Sequence, residues 1–207
     1  NALSSKISES LSQLTKESSK VVQERVETQL NALGVLAETD SIKSDKLTID
    51  KKLNLLKKEV DRSGHLLIGI SDKNGNTKDT NGAISTISNR EYFIKALSGK
   101  NAVSDPVVSN IDNSVIVCYA VPIKEDDTVK GVLFAARSGN ELSDITDDIN
   151  FGENGQAFMI NNAGTTVAHT DRNLVLNMVN NFENVKNNSE LQSLVDLEKQ
   201  MAEGKEG

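Results

Sequence analysis

The amino-acid sequence predicts an α+β protein: a long N-terminal helix, one complete antiparallel-sheet module, and the start of a second, incomplete one. Three observations predict it. Apolar residues recur at helical spacing over roughly the first 37 positions, the pattern then changes to short β-rich runs between polar turns, and a strand-turn-strand pattern occurs twice, around Gly75 and Gly164.

The helical stretch carries Ile7, Leu11, Leu14, Val21, Val22, Val26, Leu30, Leu33 and Leu36, with Ser, Lys, Glu and Gln between them. At 1.5 Å of rise per residue, about 35 helical residues reach roughly 50 Å, longer than a small domain is wide. Part of this helix is therefore expected to run along a second module or a partner. The apolar stripe drifts after Leu14 and breaks at Ser18, which argues against a sustained heptad coiled coil. A second helix, from Ile49 to Val60, follows a polar break at Thr39 to Asp45.

The run Leu66-Leu67-Ile68-Gly69-Ile70 is short and apolar, and the turn Asp72-Lys73-Asn74-Gly75-Asn76 follows it, so it reads as a strand entering a hairpin. After a polar loop, Glu91 to Leu97 reads as a short helix ended by Gly99. Three β-rich runs come next, Val103 to Ser109, Ser114 to Ile123 and Val129 to Ala136, giving a sheet of about five strands flanked by helices. Farther on, Ala157-Phe158-Met159-Ile160 runs into Asn161-Asn162-Ala163-Gly164 and Thr165 to His169, with Gly164 in the place of Gly75. Gly75 is followed by 62 residues up to Arg137, whereas only 43 follow Gly164, mostly polar and helical from Ser189 to Glu203. The second sheet is expected to be unfinished. The expected divisions are 1–62 for the two helices, 63–140 for the complete module, and 141–207 for a connector with the partial module.

Composition narrows function by exclusion. A formal charge of −7 leaves no basic patch to neutralise phosphates, so nucleic acid is not an expected partner. The single Cys118 lies in an apolar run and reads as a small buried hydrophobe, and no intrachain disulfide is possible. No stretch approaches the 18 or so apolar residues of a membrane span. The chain is expected to be soluble as given, and Asn1-Ala2 reads equally as the remnant of an excised piece and as an ordinary helix start. His65 and His169 sit beside strands without a second ligand at metal-binding spacing, and read as structural or surface histidines. Gly152-x-x-Gly155 precedes a strand rather than a helix and is a turn, not a phosphate loop. Asp126-Asp127 and Asp147-Asp148 read as solvated charge. With no nucleophile elbow, Cys pair or dinucleotide fingerprint, no catalysis and no cofactor are expected.

Ser88-Asn89-Arg90-Glu91-Tyr92-Phe93, Ser104-Asp105-Pro106, Tyr119-Ala120-Val121-Pro122-Ile123, Gly131-Val132-Leu133 leading to Glu141-Leu142, and Gly152 to Ile160 stand in the order and spacing of a known family. Together they resemble the double Cache family of extracytoplasmic sensors, found mainly in methyl-accepting chemotaxis receptors and also in some membrane kinases and cyclases. The resemblance covers nearly the whole chain and implies two PAS-like modules. It implies that the distal module binds a small molecule between its sheet and covering loops, and that Arg90 grips a ligand carboxylate. Tyr92, Phe93, Asp105, Ser109 and Tyr119 are the further ligand-site residues that it implies. A planar guanidinium offers a carboxylate two parallel donors, and an aromatic wall excludes water from that contact. The bland alternative is that Arg90 caps or pairs with Glu91 or Asp79 on the surface.

Departures from the family pattern shape the ligand expected. Members that recognise amino acids have a Tyr where this chain has Ser85, a Trp-Tyr pair where it has Tyr92-Phe93, and acids where it has Ser109 and Ala136. An ammonium then lacks an evident counter-charge, so a small carboxylate or a nucleobase is expected rather than an amino acid. The resemblance further implies a homodimer in a full receptor, flanking membrane spans outside this sequence, and a signal passed along the N-terminal helix. The rivals are the sensor of a membrane histidine kinase or diguanylate cyclase, a ligand-free dimerisation module, and an enzyme.

Overall fold

The computed structural model describes residues 2–147 and 156–206. They form two compact units, one of residues 25–139 and the other of residues up to 24 together with those from 140 onward. The first helix, α1 (Ala2–Ala37), contributes its two ends to different units.

In the unit of residues 25–139, α1 ends on buried Leu33 and Ala37, with Val26, Leu30 and Leu36 packed beside them. The polar break that follows holds a single helical turn, α2 (Asp40–Lys43), which buries Ile42. Helix α3 (Ile49–Ser63) starts where the Thr48 side chain accepts a hydrogen bond from the Lys51 N–H, and stops at Gly64 in the left-handed conformation. Its buried residues Leu53 and Leu56 stand three apart, on one face.

The sheet follows: β1 (Leu67–Ser71), β2 (Asn76–Asp79), β3 (Ile84–Thr86), then helix α4 (Glu91–Leu97), β4 (Ala102–Val103), β5 (Val107–Val108), β6 (Val115–Glu125) and β7 (Thr128–Ser138). The spatial order is β3-β2-β1-β7-β6-β4, with β5 also on β6, and every pairing is antiparallel. The hairpin expected around Gly75 is formed by β1 and β2, and the polar loop expected after it holds the further short strand β3, whose Ile84-Ser85-Thr86 carries too little apolar alternation to announce it. The expected strand from Val103 to Ser109 is two short ones separated by Pro106, which has no N–H to give the ladder. Strands β6 and β7 pair from Ile116↔Ser138 to Glu125↔Thr128, closed by Asp126 and Asp127, both at positive φ as a two-residue hairpin loop requires.

Both faces of this sheet are covered. Ile68, Ile70, Val117, Tyr119, Val121, Ile123, Leu133 and Ala135 pack with the buried residues of α1, α2 and α3. The opposite face presents Cys118, Ala120, Val132, Phe134 and Ala136 to Ile87, Ala102 and the α4 residues Tyr92, Phe93 and Ala96. Two-sided burial is why β6 and β7 read as continuous apolar runs rather than alternating ones.

The second unit contains α5 (Glu141–Thr146), β8 (Met159–Ile160), β9 (Thr166–Ala168), α6 (Arg172–Leu176), α7 (Asn181–Asn184) and α8 (Gln192–Ala202), the last entered through a 3-10 turn at Ser189–Leu191. Leu142, Ile145, Val167, Ala168, Val175 and Val195 are buried apolar residues among its described ones. Its sheet has two strands among the described residues, β8 and β9, in line with an unfinished module. The expected turn at Gly152-x-x-Gly155 and Asp148 lie outside the described residues.

The internal repeat is physical. Asp72 Oδ1 accepts from the N–H groups of Asn74 and Asn76 at 2.9 Å each, and Asn161 Oδ1 accepts from Ala163 and Thr165 at 3.0 and 2.9 Å. Gly75 (φ 85) and Gly164 (φ 82) occupy the same step of each turn, where an added Cβ would meet the Ser88 backbone at 2.6 Å or the Phe182 ring at 2.5 Å.

Candidate ligand-binding site

The face of the sheet opposite the long helices carries a small cavity of about 40 Å³, lined among others by Leu67, Ile87, Arg90, Tyr92, Ile116 and Phe134. Its mouth is held by Arg90. This residue precedes α4 in an extended conformation (φ −81, ψ 130), which lets its side chain leave the helix for the neighbouring loop. One guanidinium nitrogen donates to the Val108 carbonyl at 2.7 Å and to Asn110 Oδ1. Asn110 Nδ2 in turn donates to the Thr86 carbonyl at 2.9 Å. The bonds thus tie the end of β3, the start of α4 and the loop after β5 across the cavity. Both acceptors of Arg90 are neutral, and among the described residues it makes no ion pair with Glu91 or Asp79, so the bland surface pairing is not what holds it.

Tyr92 and Ser109 also line the cavity, as does Ala136. The Tyr92 hydroxyl meets the Cys118 thiol; burial pushes the ionisation of both far upward, Cys118 to about 11, so both stay neutral donors and acceptors. Ser109 Oγ accepts from the Ile111 N–H at 3.2 Å, which shapes the loop rather than aiming a free hydroxyl inward. Phe93 is not at the cavity but behind it, 2% exposed in the core under α4. Asp105 lines a separate cleft of about 340 Å³ beside Arg90, with Glu91, Lys95 and Ser104.

Tyr119, by contrast, pairs with Ala135 and lies in the core on the helix side, away from this cavity. A step of one residue along a strand reverses the face, and Cys118 is the residue that looks into the cavity. Sequence reasoning also missed Asn110 and Phe134. Asn110 sits in what reads as an ordinary turn, and Phe134 in a run apolar on both faces, so neither has a local signal.

His65 is buried beside Arg137, whose Nε donates to its Nδ1 at 3.2 Å, and burial followed by the Arg137 charge lowers its ionisation to about 4. His169 Nδ1 accepts from the Asp171 N–H at 2.8 Å, and its ring lies 6.1 Å from that of Phe158. Among the described residues no three His, Cys, Asp or Glu side chains cluster as metal ligands, and no helix is long and apolar enough to cross a membrane.

Comparison with known proteins places this geometry. The model of the Cache domain family matches residues 1–207. A methyl-accepting chemotaxis protein, PscA of Pseudomonas syringae pv. tomato, is 30% identical over 78 residues, 38% of this chain and 12% of that protein. The chain thus matches only a small part of that receptor's length. Among solved structures, the sensory domain of the Campylobacter jejuni chemoreceptor Tlp3 with isoleucine bound is similar at a TM-score of 0.68 and 16% identity, over 86% of this chain and 77% of the other. The ligand-binding domain of the Pseudomonas fluorescens chemoreceptor CtaA with L-serine gives 0.70 and 17%, over 84% and 77%. That of the Pseudomonas aeruginosa receptor PctC with GABA gives 0.66 and 18%, over 84% and 80%. With its residues 1–207 matched by the family's model, this chain belongs to the Cache domain family.

Proposed function

We propose that residues 25–139 are the membrane-distal, ligand-binding module of an extracytoplasmic chemoreceptor sensor, and that the ligand is a small molecule with a carboxylate held by Arg90. The observation that carries this is the Arg90 guanidinium at the mouth of the sheet-face cavity, bonded among the described residues to the neutral acceptors of Val108 and Asn110. A carboxylate makes a charge-assisted, two-pronged bond that a carbonyl and an amide oxygen cannot match. The ligands named for Tlp3, CtaA and PctC, isoleucine, L-serine and GABA, each carry a carboxylate, which favours that class over a nucleobase. That they are amino acids runs against the preference drawn from Ser109 and Ala136.

Sites for small molecules occupy about 300–1,000 Å³. The cavity here is about 40 Å³, so binding requires the loop after β5 to lift as Arg90 exchanges its protein acceptors for the ligand. A ligand that binds the opened arrangement better shifts the population toward it, and the shift is the signal. The continuous α1, whose residues 25–37 belong to this unit, is the element suited to carry it inward. In a full receptor we place the module outside the cytoplasm, in a homodimer anchored by flanking spans.

A thermal-shift screen with small carboxylates tests the reading, because a ligand bound by the native state alone raises stability as RT ln(1 + [L]/Kd). A hit should be lost in Arg90→Ala at a nearly unchanged melting temperature without ligand. A hit with equal affinity in Arg90→Ala would refute the assignment of the site.

A further inference from the structure

Asp79 is 3% exposed, and among the described residues it is the one buried carboxylate of residues 25–139. Its Oδ1 accepts from the N–H groups of Asn81 at 2.8 Å and Ala83 at 3.0 Å, closing the β2–β3 turn. Its Oδ2 is buried and has no hydrogen-bond partner. A carboxylate oxygen removed from water and left unpaired is costly, so a fold that keeps one invites a positive partner that arrives later.

The register places this oxygen. Asp79 stands opposite Gly69, Gly69 opposite Phe134, and Phe134 opposite Ala120. Directly opposed residues share a face, so all four belong to the face that carries the cavity. Gly69 leaves its place in that row to the Phe134 ring: a Cβ there would lie 2.3 Å from Phe134 Cζ. The ring therefore lies across β1, the strand between β7 and Asp79, and it is also a wall of the cavity that Arg90 closes. Strands lie about 4.8 Å apart, so Asp79 stands on the same face two strands from β7, with the Phe134 ring over the strand between them.

We propose that Asp79 is the ammonium-pairing group of this site, with Phe134 as the plug that swings aside to admit it, so that the ligand is a carboxylate that also bears a cationic amine. This rests on the Arg90 reading above and deepens it. The counter-charge that Ser109 and Ala136 fail to provide is supplied from β2, on the other side of the sheet centre, where the resemblance gave no reason to look. The arrangement puts a fixed positive group and a fixed negative group on one apolar face, which suits a zwitterion. A purely anionic ligand would instead leave Asp79 unpaired in a newly opened pocket.

Matched probes test it by calorimetry: L-valine against 3-methylbutanoate, and GABA against butanoate, each pair differing in the amine alone. The wild-type chain is expected to bind the amine-bearing member of at least one pair tenfold or more tightly. Asp79→Asn keeps an oxygen for the two turn N–H groups and should erase that preference while leaving the affinity for the amine-free member within a few-fold. Wild-type protein that binds the plain carboxylates equally well or better overturns the role of Asp79 and leaves the Arg90 site standing. So does a preference that survives in a folded Asp79→Asn. If the wild type binds none of the four probes, both readings fall together.

Discussion

Replacing His65 with asparagine should make the protein less sensitive to acid. Arg137 donates its Nε–H to His65 Nδ1 and a further N–H to the Ser63 carbonyl, joining the end of α3 and the end of β7. Burial first, and the Arg137 charge second, lower the His65 ionisation from 6.5 to about 4. In the unfolded chain the imidazole takes up its proton near pH 6.5, while the native state refuses it until about pH 4. The unfolded state thus binds more protons between those values, so stability is undiminished above pH 6.5, falls as pH drops through that window, and levels off below it. At about 1.36 kcal/mol per pH unit the loss cannot exceed about 3.4 kcal/mol, and partial contact with solvent brings it nearer about 2 kcal/mol. His65→Asn retains an acceptor for Arg137 and cannot titrate. Urea denaturation of both proteins from about pH 7.5 to about pH 4.5 should show the stability difference moving by about 2 kcal/mol in favour of the variant, with carboxylate effects common to both cancelling. Two parallel stability curves would refute the buried, neutral state of His65.

Two further outcomes follow from the packing of the sheet. Gly69→Ala drives a methyl into the Phe134 ring and should cost about 1–3 kcal/mol in denaturant unfolding, whereas Gly69→Ala with Phe134→Leu should cost clearly less than the sum of the two single changes. Additive effects would mean that the ring does not occupy the space above Gly69. The Cys118 thiol, buried and with its ionisation raised to about 11, should react with an alkylating reagent near pH 8 far more slowly in the native protein than in denaturant, as a colorimetric thiol assay would read; equal rates would contradict its burial.

What the sequence by itself determined is what short-range physics encodes. The apolar spacing of Val26, Leu30 and Leu33 and the Thr48 and Gly64 caps specify helices through contacts three and four residues apart. Likewise, Asp72 and Asn161 each bond to N–H groups two and four residues onward, so the two turns and the internal repeat are visible in the letters. Arg90 was legible too, through the order of motifs around it, although its partners Val108 and Asn110 lie 18 and 20 residues away. Tertiary structure alone decided which side of β6 faces the cavity, because Val117 to Val121 is buried on both sides and its apolar residues carry no mark of direction. It placed Tyr119 among the helices and Cys118 at the cavity. It also laid the Phe134 ring over Gly69 and left one oxygen of Asp79 buried without a partner, contacts set by strand register between segments more than 60 residues apart in the case of Gly69 and Phe134. Pairing between distant strands is settled by how whole faces pack together, and no window of neighbouring residues contains that information.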